Sequence, residues 1–256
     1  MKYDLQIIAP CIGNRICFIR DIMFYNCKKN KILFHCLITE DEKEEFEQLD
    51  LHENIDVNLV VYDQSKNENY RLYDFLSNFK LEDTKIAPWT LKIDDDCYNN
   101  VDLTCEILEK YNASEVHYFV GSKIRKEMCL AEIKALKICG LFEKINKFWT
   151  HELECCIMSQ KTFYKIIENK ECINLFKEFS KINEKSKHGY TDQLLGAAAK
   201  LCNILPTELK EIIYDGRRRD ITDDFLKKYI HFHPTVSIDI YKNILKKLRK
   251  NNKTII

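Results

Sequence analysis

The sequence predicts an α/β domain built on a doubly wound sheet, and three features carry that expectation. Over residues 5–61, apolar runs alternate with amphipathic stretches in the order strand, helix, strand, helix, strand, which is the order of a doubly wound fold. The run at 31–38 is apolar nearly throughout, as a parallel strand covered on both faces must be. Further on, Trp89, Leu91 and Ile93 alternate with Thr90 and Lys92, the period of a strand with one face buried. That strand runs straight into three carboxylates, Asp94, Asp95 and Asp96. Ligands of such sheets bind at the carboxyl ends of the strands, so the triplet marks the end where chemistry is expected.

Each element has a local reason. Residues 5–10 form the first core strand and end in a loop that carries Arg15 and Arg20 over a prospective nucleotide site. A helix over 18–27 and the strand 31–38 follow, and Thr39 with Glu42 makes a capping box that starts an acidic helix over 40–49. A third strand spans 55–61, and a helix opening near Asn69, Tyr70 and Arg71 runs to about Phe79. After the acidic triplet, Asn100 caps a helix from Val101 whose apolar stripe is Leu103, Ile107, Leu108 and Tyr111, with Asp102 in its first turn. Residues 116–122 read as a strand closing on glycine, and the lysine-rich stretch 123–147 as irregular or helical. A strand ends at Ser159, and the helix beginning near Lys161 and Thr162 carries Phe163, Ile166 and Ile167. The small-residue helix 196–202, short strands at 211–214 and 229–234, and an amphipathic basic helix over 238–250 complete the chain. Without repeats, low-complexity linkers or glycine- and proline-rich boundaries, residues 1–235 read as one domain and 236–256 as a helical tail.

Composition narrows the function. Lysine plus arginine number 40, as do aspartate plus glutamate, so no global basic field invites a nucleic acid. The 12 cysteines are scattered, with one adjacent pair (Cys155 and Cys156) and no metal-type CxxC spacing. Many sit inside apolar runs as small hydrophobes, which fits a reducing cytosol. Neither a signal peptide nor a run of 18 apolar residues is present. The expectation is a cytoplasmic protein.

Three adjacent carboxylates repel one another and lose hydration as a site closes. A hard divalent cation removes that penalty, because Mg²⁺ and Mn²⁺ take oxygen ligands and keep positions open for phosphate oxygens. Alone, the same acids would equally read as a solvated turn. The longer frame says more. Trp89-x-x-x-x-Asp94-Asp95-Asp96-x-Tyr98-x-Asn100 resembles the metal-binding motif of the Fringe and β1,3-galactosyltransferase group, within the GT-A class of nucleotide-sugar glycosyltransferases. There the acidic triplet holds a Mn²⁺ that bridges the phosphates of a UDP-sugar.

The resemblance continues in motif order. The Tyr70, Arg71, Leu72 segment is loosely similar to one beside the nucleotide, which makes Tyr70 and Arg71 candidates for base or phosphate contact; Tyr70 reads equally well as a core tyrosine. Tyr118-Phe119-Val120-Gly121 resembles the short strand that follows the motif, and residues 148–159 keep the frame of the next one. There, however, His151-Glu152-Leu153-Glu154 replaces the glycines that let backbone approach a sugar. Thr191-Asp192 resembles an acidic pair whose second member is the catalytic base, with Thr191 in place of the first acid. The turn carrying Arg217, Arg218 and Arg219 suits a diphosphate clamp or a solvated basic turn. His231 and His233, on one strand face, occupy the place of the group's histidine metal ligand, with His231 preferred and His233 the alternate.

The resemblance therefore implies a single-domain GT-A fold with a Rossmann-like mixed sheet flanked by helices. It also implies a hexosyltransferase that uses Mn²⁺ or Mg²⁺ and a UDP-sugar. Asp94, Asp96 and His231 or His233 would hold metal, Asp95 and Arg15 would face the donor, and Asp192 would be the base of an inverting displacement. The acceptor would be a glycan or lipid-linked glycan in bacterial surface polysaccharide or lipooligosaccharide synthesis. The tail's own residues suit either a helix packed on the domain with its lysines in water or, less readily, one resting on anionic membrane. Two other readings share the acidic cluster: a metal-dependent phosphotransferase or phosphohydrolase, and an inactive sugar-nucleotide-binding protein.

Overall fold

The structure is a computed structural model. It describes residues 2–11, 26–47, 53–80, 87–94, 97–121, 124–125, 130–145, 150–151, 155–182, 191–215, 221–233 and 238–253. In chain order the described elements are β1 (Leu5–Pro10), β2 (Ile32–Thr39), α1 (Lys43–Glu47, after a 3-10 turn at Glu40–Glu42), β3 (Ile55–Tyr62) and α2 (Glu68–Asn78). Then come β4 (Trp89–Lys92), β5 (Tyr98–Asn99), α3 (Val101–Leu108), β6 (Tyr118–Val120), β7 (Ile124–Arg125) and α4 (Leu130–Ile138). They are followed by β8 (Thr150–His151), β9 (Cys156–Ser159), α5 (Gln160–Glu168), α6 (Lys170–Ile182) and α7 (Thr191–Leu201). The last are β10 (Thr207–Glu208), β11 (Ile212–Asp215), α8 (Asp223–Lys228), β12 (His231–His233) and α9 (Ile238–Lys253).

The main sheet has seven strands in the order β10-β6-β9-β4-β1-β2-β3. Strands β4, β1, β2 and β3 run parallel, and β9 lies antiparallel between β4 and β6. The chain winds outward from β1 to β2 and β3, then crosses back to lay β4 on the other flank of β1. In sheets of this order the ligand crevice lies beyond the carboxyl ends of the strands, beside β1 where the strand order reverses.

Both faces of the sheet are covered, because alternate residues of each strand feed different cores. On one side Ile7, Phe34, Cys36 and Leu91 pack with Val101, Cys105 and Leu108 of α3. On the other, Ile8, Leu37 and Met158 pack with Leu72 and Leu76 of α2 and Phe176 and Phe179 of α6. This corrects the one-sided reading of β4: Thr90 and Lys92, its polar positions, are both fully buried. Thr90 accepts the Gln6 amide at 2.6 Å, Gln6 Oε1 lies 3.3 Å from His35 Nε2, and Asn58 Nδ2 lies 2.9 Å from His35 Nδ1. A neutral polar network thus crosses four neighbouring strands, and burial draws His35 down to about 4.

A second sheet, ordered β11-β12-β5, stands on its own core. Tyr98 and Phe232 stack at 4.5 Å there, and Ile244, Leu245 and Leu248 of α9 pack with them. The apolar face of the tail helix is therefore part of the body. Both expected caps form: Glu42 Oε2 accepts Thr39 N at 2.8 Å, and Asn100 Oδ1 accepts Leu103 N at 3.1 Å. The helix expected over 40–49 opens as a 3-10 turn and continues as α1 to Glu47, with residues 48–49 outside the described residues, as is most of the helix expected over 18–27.

Candidate active site

Strand β4 is held to β1 up to the point where the acids begin, since Ile93 N donates to Ile8 O at 3.1 Å. Asp94 follows at once. Its Oδ1 sits 2.5 Å from the Lys92 ammonium, and the two side chains are 21% and 1% exposed. A buried ammonium without an opposite charge would cost several kcal/mol, so Lys92 and Asp94 hold each other, and Asp94 remains partly exposed. Asp95 and Asp96 lie outside the described residues, as does Arg15 in the loop after β1.

The histidine strand is brought to this loop by pairing rather than by sequence proximity. His231 is registered with Asn99, and Phe232 with Tyr98, in antiparallel sense, so the strand from His231 to His233 runs back toward Cys97 and the triplet. The backbone of His233 also pairs with Asp215 of β11. His231 is 1% exposed, and its Nδ1 lies 2.8 Å from Asn99 Oδ1. Because Asn99 Nδ2 points to Cys97 O at 3.5 Å, its carbonyl oxygen faces the ring. Nδ1 is therefore the N–H, and Nε2 carries the lone pair, the tautomer that a metal-binding histidine needs. The His233 side chain lies outside the described residues.

These donors fit a hard divalent cation by type: a carboxylate fixed by a neighbour and a histidine with its tautomer set. Among the described residues no group of three His, Cys, Asp or Glu side chains comes together as a metal cluster, and the set expected from the sequence includes Asp96 and His233, whose side chains are not described. A further acid of the segment is committed to structure. Asp102 accepts Lys28 N at 2.8 Å, Lys29 N at 3.2 Å and Asn30 Nδ2 at 2.8 Å.

The two candidates on α2 separate. Arg71 is 3% exposed; its Nη1 donates to Leu37 O at 3.0 Å and pairs with Glu42 Oε2 at 3.4 Å. It ties α2 to the end of β2 and to the capping box, and its guanidinium is enclosed. Tyr70 is partly exposed, edge-on to Tyr62 with ring centroids 6.4 Å apart, and the Lys66 ammonium lies 4.3 Å from its ring centroid. Asp192 is the second residue of α7, whose Leu194, Leu195 and Ala197–Ala199 are buried and which packs on β8. Its side chain, residues 152–154 and the three arginines at 217–219 lie outside the described residues.

Sequence reasoning missed Lys92. A usable signal existed: once 31–38 requires a sheet covered on both faces, any lysine inside a neighbouring strand needs a buried partner, and Asp94 stands two residues away.

This architecture is the GT-A fold of glycosyltransferases. Among solved structures, the galactosyltransferase LgtC, determined in complex with donor and acceptor sugar analogs, matches 94% of this chain and 95% of its own with a TM-score of 0.53 at 12% identity. No family model and no curated protein matches the chain. The likeness shows the GT-A fold alone, and the Fringe group rests on motif order.

Proposed function

We propose that the protein is a metal-dependent glycosyltransferase that moves a hexose such as galactose or N-acetylglucosamine from a UDP-sugar to a glycan hydroxyl. The observation that supports this reading is that β4, beside β1 in a GT-A sheet, ends on the first acid of the triplet, Asp94, pinned by a buried lysine. Asp94, Asp96 and His231 or His233 would hold Mn²⁺ or Mg²⁺, which supplies Lewis-acid neutralisation of the departing diphosphate. Descent toward Cys97 along the β12–β5 ladder favours His233 for the nearer position, with His231 behind it.

Other roles follow from placement. Arg15 would meet the diphosphate from the loop after β1, Asp95 the donor's ribose or sugar, and Tyr70 the base, while Arg71 acts from behind by fixing the end of β2. Asp192 takes the proton from the acceptor hydroxyl as that oxygen bonds the anomeric carbon and the bond to UDP breaks, in one inverting displacement. Residues 1–235 carry this reaction. No helix among the described residues is long and apolar enough to cross a membrane. With Ile244, Leu245 and Leu248 buried, contact of α9 with anionic lipid beside a lipid-linked acceptor would be electrostatic, through exposed Lys242 and Lys246.

Incubation with a panel of UDP-sugars and Mn²⁺ tests the proposal. Slow metal-dependent release of UDP supports it. Release of inorganic phosphate would point to a phosphohydrolase, and binding without turnover to an inactive sugar-nucleotide binder.

A further inference from the structure

Far along the chain from the acidic triplet, two thiols meet where α5, α6 and α7 join. Cys172 lies in the first turn of α6, and Cys202 follows the last residue of α7. Their sulfurs are 3.7 Å apart. A disulfide needs about 2.05 Å, so roughly 1.7 Å of approach would close the bond. Asn169 organises the junction: its Oδ1 accepts Glu171 N at 2.8 Å and Cys172 N at 3.4 Å, and its Nδ2 reaches Cys202 Sγ at 3.5 Å. Cys172 is fully buried with its sulfur 3.4 Å from Ala198 O, whereas Cys202 is partly exposed.

A second pair of thiols serves as a control built into the same molecule. Cys11 and Cys36 lie closer, at 3.5 Å, but both are fully buried. Proximity is thus shared by the two pairs, and access is not. Electrostatics point the same way. A hydrogen bond with the Cys172 thiol, then one from the Asn169 amide, with the Lys165 charge nearby, draws Cys202 down against the opposing effect of burial, while the bond to Cys202 and burial push Cys172 up. Against this, Lys165 O lies 3.3 Å from Cys202 Sγ and accepts from its thiol form.

We infer that Cys202 and Cys172 form a peroxide-reactive dithiol site, in which Cys202 is the attacking thiol and Cys172 the resolving one. In the first step the Cys202 thiolate attacks hydrogen peroxide; an S–O bond forms, the O–O bond breaks, and hydroxide leaves, giving a sulfenic acid. In the second, Cys172 sulfur attacks Cys202 sulfur; the S–S bond forms, the S–O bond breaks, and the oxygen departs as water with the Cys172 proton. Two thiols and one peroxide become one disulfide and two waters. The bond fastens the end of α7, the helix that opens on Asp192, to the start of α6.

The test uses the full chain. Wild-type protein is treated with a small excess of hydrogen peroxide, remaining thiols are blocked by alkylation, and tryptic peptides are read by mass. Each partner sits alone in its peptide, Cys172 in 171–177 and Cys202 in 201–210. The expected result is those two peptides joined, with Cys11 and Cys36 still alkylated, and Cys202 in untreated protein alkylating at least about 10-fold faster than Cys36. In Cys172→Ser the sulfenic acid should persist on Cys202 and be trapped by a 1,3-dione. Cys202→Ser should leave Cys172 unoxidised. The inference is overturned if wild-type peptides 171–177 and 201–210 stay unlinked, if Cys11 and Cys36 link instead, or if Cys172 oxidises without Cys202. The wild-type map decides even where a variant does not fold.

Discussion

Two buried ion pairs, at the ends of β2 and β4 on either side of β1, show how similar chemistry serves different ends. Arg71 and Glu42 are 3% and 9% exposed at 3.4 Å, with Glu42 also accepting Thr39 N and Arg71 also donating to Leu37 O. Lys92 and Asp94 are 1% and 21% exposed at 2.5 Å. In the first pair both charges are enclosed and turned toward backbone, so the pair closes a junction between β2, the capping box and α2. In the second only the cation is enclosed. The anion stays partly exposed at the sheet's carboxyl edge, held in place by the lysine. Solvent access on the anion's side distinguishes a structural pair from one that presents a site.

The largest effect should come from breaking the closed pair. Arg71→Met leaves Glu42 buried without its cation, and loss of one partner of a buried pair costs about 3–5 kcal/mol. Urea denaturation should show that loss, while UDP affinity of the folded protein stays within a factor of about two. A stable variant with UDP affinity reduced ten-fold would make Arg71 a ligand residue and erase the comparison.

Between the pairs runs the neutral network through His35, which sharpens the contrast because its penalty appears only on charging. Burial holds His35 near 4 against an ordinary value of 6.5. As pH falls through 6.5 the unfolded chain takes up this proton and the folded chain does not. Stability present above 6.5 is therefore lost down to about 4, by roughly 3 kcal/mol. Denaturation curves at pH 7.5 and pH 4.5 should differ more for wild type than for His35→Gln. Equal differences would remove His35 from the acid response.

Asp192→Asn touches neither pair and calibrates both. Transfer should fall by at least ~10²-fold, the low end for a general base, with UDP and Mn²⁺ affinity unchanged. Normal turnover would take Asp192 out of the mechanism and leave Glu152 or Glu154 as the next candidates. The half-open pair should give the smallest stability effect. Asp94→Asn deprives Lys92 of its carboxylate, but the carboxyl is partly solvated, so about 1–3 kcal/mol is expected. A rise in melting temperature would mean that repulsion among the three acids outweighs the lysine.

Local order explains what could be read from the chain. The strand–helix alternation, the Thr39 and Asn100 caps and the amphipathic tail are properties of neighbouring residues, and periodicity and cap chemistry report them directly. Nonlocal geometry was silent. His231 meets Asn99 across 132 residues, and no local pattern specifies that pairing. Thr90 and Lys92 looked outward because alternation identifies two faces of a strand without saying that both are covered. Arg71 read as a ligand candidate because a buried guanidinium and an exposed one have the same sequence signature. The tail's apolar face likewise could have met lipid or protein, and Ile244, Leu245 and Leu248 met protein.

The central claim is that the crevice beside Asp94 is a metal-dependent nucleotide-sugar site. Calorimetric titration of UDP, with and without Mn²⁺, into wild-type, Asp94→Asn and Asp96→Ala proteins tests it most directly, with circular dichroism to verify folding. Wild-type protein should bind UDP far more tightly with Mn²⁺ than without, and both folded variants should lose that gain. UDP affinity that is the same with and without Mn²⁺, or undiminished in both variants, would contradict the claim.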